Sequence, residues 1–107
     1  MSDTPYIVAR TTPRFTFIAE AEIVGLNGCA RVSELSVGGC YIDSINPLPK
    51  GTGVRFRIRY GCSTCEFSGT VIYTHAGFGM GVAFGELTAE QRSTLDVWLD
   101  ELARKLD

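Results

Sequence analysis

The chain has 107 residues, which fits one domain and leaves little room for a second. Its 45% apolar residues supply one modest core, and no apolar run approaches the roughly 20 residues needed to span a bilayer. A net charge of −2 excludes the broad basic face that general duplex binding requires, but it leaves room for a small anionic ligand held by a few arginines.

Residues 1–14, MSDTPYIVARTTPR, show no sustained period, and Pro5 and Pro13 each bias the residue before them away from helix. They predict a flexible N-terminal arm. With no basic stretch leading into an apolar one, the arm is not expected to act as a signal peptide, and the expected compartment is the cytoplasm. Phe15 to Ile23 then alternates, with Phe15, Phe17, Ala19, Ala21 and Ile23 on one face and Ile18 as an apolar exception on the other. That pattern is a half-buried strand. Gly25-Leu26-Asn27-Gly28 contains Asn-Gly, a tight-turn signal, and Cys29 to Leu35 reads as the return strand.

Ser36 to Gly39 is a break. Two adjacent glycines here imply either positive φ or a backbone approached closely by something else. Cys40-Tyr41-Ile42 resumes extended structure, and Asp43 to Gly53 is a loop punctuated by Pro47, Pro49, Gly51 and Gly53. Val54 to Tyr60 is the clearest strand, with Val54, Phe56, Ile58 and Tyr60 opposite Arg55, Arg57 and Arg59. A loop over Gly61-Cys62-Ser63-Thr64 leads to a strand from Cys65 to Thr74. A turn over Ala76 to Gly79 leads to a last strand from Met80 to Phe84.

Thr88-Ala89-Glu90-Gln91 matches a capping box. Leu95, Trp98, Leu99, Leu102 and Leu106 follow at helical spacing, which predicts a helix over about 88–104 with its apolar stripe on the sheet. About six short strands without βαβ alternation argue for an antiparallel sheet or small barrel.

Two clusters carry chemistry. Arg10-Thr11-Thr12-Pro13-Arg14 is an R-x-x-x-R at the junction of arm and first strand. Glu34-Leu35-Ser36-Val37-Gly38-Gly39 closes the second strand. In this order and on this strand pattern, the chain resembles the PilZ domain, whose signature is R-x-x-x-R followed by D/N-x-S-x-x-G. The resemblance extends to Gly79-Met80-Gly81-Val82-Ala83-Phe84 and to the helix opening Leu87 to Gln91. It departs at Glu34, where the family has Asp or Asn.

The resemblance implies a mainly β fold: a small six-stranded antiparallel β-barrel of split-barrel type over residues 15–107, with one C-terminal helix. It also implies a cytoplasmic receptor for cyclic di-GMP that needs no cofactor. Ligand-binding residues would be Arg10, Arg14, Glu34, Ser36, Gly38 and Gly39. Guanidinium groups bind phosphate and the guanine O6/N7 edge in planar, bidentate fashion. Arg10 and Arg14 stand up to about 13 Å apart on an extended backbone, which lets the arm grip two parts of one ligand. Ser36 can donate or accept, the Glu34 carboxylate can accept from guanine N1–H and N2–H₂, and Gly39 would let the ligand pack on the backbone. Binding would order the arm, and a separate, unidentified downstream protein would read the change. The chain would be a monomer or a homodimer.

Other readings stay open beside this one. The arginines taken singly are ordinary solvated side chains, and Ser36 to Gly39 is a plain turn. The fold also serves as a protein-interaction module that does not bind the nucleotide. Arg55, Arg57 and Arg59 read as a solvated face or as a contact for an acidic partner. A thiol-redox or metal protein built on Cys62 and Cys65 is the remote alternative: Cys62-Ser63-Thr64-Cys65 is a C-x-x-C, but it falls in a hairpin loop rather than at the helix N-terminus that lowers a thiol pKa, and a zinc site needs two more ligands. No nucleophile has a plausible base, and there is no P-loop or dinucleotide fingerprint, so an enzyme is not expected.

Overall fold

The computed structural model describes residues 14–26 and 30–105. Arg10 and the rest of the expected arm before Arg14, the Asn27-Gly28 turn, Cys29 and Leu106 lie outside the described residues. Six strands form in order: β1 (Phe15–Ile23), β2 (Ala30–Ser36), β3 (Gly39–Asp43), β4 (Gly53–Tyr60), β5 (Ser63–His75) and β6 (Gly79–Phe84). One helix, α1 (Ala89–Lys105), follows them. The strands close into a barrel in the order β1-β2-β3-β6-β5-β4, with every pair antiparallel. Pairing of β1 with β4 closes the cylinder and leaves no open sheet edge.

Alternation decides which residues fill the barrel. Phe17, Ala19 and Ala21 of β1 and Val54, Phe56 and Ile58 of β4 point inward, and the residues between them face out. Ile18 obeys its phase rather than its hydropathy and stays 67% exposed. Phe67, Val71, Ile42, Cys40, Leu35, Val32, Met80 and Val82 complete the strands' share of the interior. Among the described residues, no polar or charged one is fully buried.

The helix closes the barrel against β1 and β5. Its start is a reciprocal capping box: the Gln91 amide donates to Thr88 Oγ1 at 3.1 Å, and the Thr88 amide donates to Gln91 Oε1 at 2.8 Å. Gln91 Nε2 also donates to the Glu66 carbonyl at 2.7 Å, which ties the first turn to β5. At the far end Lys105 Nζ donates to the Tyr60 hydroxyl at 3.1 Å. Between these anchors Leu95, Trp98 and Leu102 are buried, and Trp98 packs 5.8 Å from the rings of both Phe17 and Tyr60. Burial of each such large side chain contributes on the order of 2–3 kcal/mol.

Two expected loops are shorter than their sequences suggest. Tyr60 pairs with Ser63, so the turn is Gly61-Cys62 alone, and Ser63 and Thr64 belong to β5. Gly61, at φ +61°, supplies the left-handed first position of a two-residue hairpin. Likewise Ser36 pairs with Gly39 across a Val37-Gly38 turn. Neither glycine there has positive φ, so of the two expected reasons for the pair only close approach applies, and only to Gly39. A Cβ on Gly39 would collide with the Val82 carbonyl oxygen of β6, whereas one on Gly38 would meet nothing within 4 Å.

Candidate ligand-binding site

Two β-bulges shape the outer wall of the barrel. In β2, Val32 faces Ile42 while Glu34 faces Tyr41, so Ser33 and Glu34 share one step of β3. In β5, Val71 faces Val82 while Tyr73 faces Gly81. The extra residue turns Ile72 and Tyr73 outward together, at 48% and 36% exposure. With these offsets one row of outward residues runs across five strands: Thr16, Glu34, Tyr41, Gly81 and Tyr73.

Glu34, Tyr41, Gly81 and Tyr73 of this row line a cleft of about 440 Å³, within the size range of small-ligand sites. Arg14, Glu34 and the Ser36 to Gly39 turn line one end; Tyr41, Ile72 and Tyr73 line the other. Arg14 Nη1 lies 3.5 Å from Glu34 Oε1, with both side chains about half exposed. The Ser36 hydroxyl donates to the Gly39 carbonyl at 3.3 Å and steadies the turn. Five of the six sequence-expected site residues therefore meet in one place. The sixth, Arg10, lies outside the described residues.

Sequence reasoning missed the aromatic end. The Tyr41 and Tyr73 rings lie over glycines of β6. A Cβ on Gly79 would come within 2.7 Å of the Tyr41 ring, and one on Gly81 would collide with the Tyr73 ring. The ring centroids are 6.1 Å apart and the planes 30° apart, so the two form a shallow floor rather than a stacked pair. Tyr41 Oη and His75 Nδ1 are hydrogen-bonded at 3.0 Å. Burial holds the Tyr41 hydroxyl above its ordinary pKa, helped by Tyr73, Asp43 and Glu34. The available signal was the glycine alternation Gly79-x-Gly81, which reads as room for something bulky on that face.

The arginine stripe of β4 is not a free basic surface. Arg57 reaches Glu22 at 2.9 Å and Glu66 at 3.6 Å, Arg55 reaches Glu66 at 3.3 Å, and Arg59 reaches Glu20 at 3.9 Å. These are cross-strand ion pairs on a solvated face.

Cys40, Cys62 and Cys65 are free thiols. Burial pushes the Cys65 thiol above its ordinary value, with the Thr94 hydrogen bond opposing, which is contrary to what a nucleophilic thiol needs. Among the described residues, no group of three or more His, Cys, Asp or Glu converges to hold a metal. No helix of the described residues is long and apolar enough to cross a membrane.

The same architecture occurs in solved structures. An inhibitor of motility from Bacillus subtilis, MotI/DgrA, superposes with a TM-score of 0.72 at 18% identity, covering 91% of this chain and 50% of that one. The Borreliella burgdorferi PlzA protein, solved in complex with c-di-GMP, superposes with a TM-score of 0.55 at 13% identity, covering 90% of this chain and 49% of that one. At these identities the likeness is one of fold, and this chain spans about half the length of each protein. A search of curated proteins found no match. The profile of the PilZ domain matches residues 9–101, and the chain belongs to the PilZ domain family.

Proposed function

We propose that this chain is a cyclic di-GMP receptor that seats the nucleotide in the cleft between Arg14 and Tyr73. The observation that carries this reading is convergence: Arg14, from the first motif, and Glu34, Ser36, Gly38 and Gly39, from the second, line one cleft of ligand size. Arg14 would bind phosphate or the guanine O6/N7 edge, and Glu34 would accept from guanine N1–H and N2–H₂. Arg10, on the arm, would supply the second guanidinium. Membership of a receptor family, and a neighbour of like fold solved with c-di-GMP, support the ligand class.

The protein works as a non-enzymatic adaptor in the cytoplasm. Ligand binding orders the arm, and a downstream protein reads the result. The neighbour named as an inhibitor of motility supports an output through another protein. Calorimetric titration of the full chain with cyclic di-GMP, with GTP and cyclic di-AMP as controls, tests the proposal. Saturable binding of cyclic di-GMP alone is expected, and a folded protein that binds none of the three would refute it.

One observation favours a second reading, an interaction module that does not bind the nucleotide. The Glu34 carboxylate already engages Arg14, the group that a phosphate would need. An exposed pair of this kind is worth only about 0–1 kcal/mol, less than a bidentate phosphate contact, so displacement by ligand is the favoured outcome.

A further inference from the structure

The aromatic floor extends the receptor reading and rests on it. Glu34 and Tyr41 are register partners on neighbouring strands, in one outward row. Strand spacing places their backbones about 5 Å apart. Of the two register partners of Glu34, Thr16 on β1 and Tyr41 on β3, only Tyr41 lines the cleft, so a guanine that meets the Glu34 carboxylate within it extends over β3 toward Tyr41. The Tyr41 ring is already fixed there. It lies on the glycine backbone at Gly79, its hydroxyl is held by His75, and Tyr73 continues the surface beyond Gly81. Tyr41 lines the cleft beside Glu34, which puts its ring within reach of a planar base seated there.

We propose that Tyr41 is the base-seating residue of this site: one guanine stacks on its ring while Glu34 reads the guanine edge and Arg14 takes the charged part of the ligand. Stacking tolerates any base, so the preference for guanine resides in Glu34 and the stacking affinity in Tyr41. The His75 contact makes the hydroxyl an anchor for the ring rather than a ligand contact.

Titration of the full chain and its Tyr41→Phe, Tyr41→Leu and Tyr41→Ala variants with cyclic di-GMP, at two salt concentrations, tests this assignment. Tyr41→Phe keeps the π face and should bind within about threefold of the wild type. Tyr41→Leu fills similar space without a π face, and both it and Tyr41→Ala should weaken binding by about 5- to 150-fold. That loss should be the same at both salt concentrations, because stacking, unlike a phosphate contact, is not screened. Thermal unfolding of each variant separates loss of binding from loss of fold. Wild type that binds, with Tyr41→Leu binding equally well, would overturn the base seat and leave the receptor standing. Wild type that is folded and does not bind would overturn the receptor and the seat with it.

Discussion

The Arg14–Glu34 contact decides how the site behaves at the scale of single residues. Arg14 is about half exposed and shares its charge with one carboxylate, so it is available to a doubly anionic ligand. Arg14→Ala should cost about 1–3 kcal/mol of binding, or about 5- to 150-fold, and should flatten the fall of affinity with salt. Titration at low and high salt checks both effects. Glu34 departs from the family's Asp or Asn by one methylene. Glu34→Asp draws the carboxylate back from Arg14 and keeps an acceptor for guanine, so equal or tighter binding is expected by the same titration. A large loss would mean that the longer side chain is adapted to this ligand.

Glycines separate structure from binding at the scale of elements. Gly39 sits where β6 comes closest, while Gly38 faces open space. Gly39→Ala should therefore destabilise the fold by about 1–3 kcal/mol, with Gly38→Ala within about 0.5 kcal/mol of wild type. Chemical denaturation distinguishes the two. Equal stability would mean that β6 gives way and that Gly39 is kept for the ligand instead.

The elements also mark the limit of what the sequence made legible. β4 was readable because its alternation is unbroken, β1 because Ile18 is its one exception, and α1 because Thr88 and Gln91 announce its start. The Arg14, Glu34 and Ser36 end of the cleft was readable from motifs. The Tyr41 and Tyr73 end was not, because the bulges at Ser33–Glu34 and Ile72–Tyr73 break the period of 2. Only the register of β3, β6 and β5 brings residues 41, 81 and 73 into one row.

Stability at the scale of the whole molecule comes from an apolar barrel interior closed by α1, and Cys40 gives that interior a pH signature. Burial pushes its thiol far above the ordinary value of 9.0. The unfolded chain ionises this thiol near that value and the folded chain does not. Its contribution to stability is therefore complete below pH 9 and is lost as pH rises above it, at up to about 1.4 kcal/mol per pH unit. Thermal unfolding across the alkaline range should show a steeper decline for wild type than for Cys40→Ala. Parallel declines would place the thiol in contact with solvent.

The most direct test of the whole account is where the ligand sits. Amide chemical shifts of the full, isotope-labelled chain, followed as cyclic di-GMP is added, report occupancy and position together. Saturable changes at Ser36, Gly38, Tyr41, Gly81 and Tyr73, with Glu22 and Arg57 on the opposite β1–β4 face unmoved, are the predicted result. Changes centred on the β1–β4 face, or none in the folded protein, would contradict it.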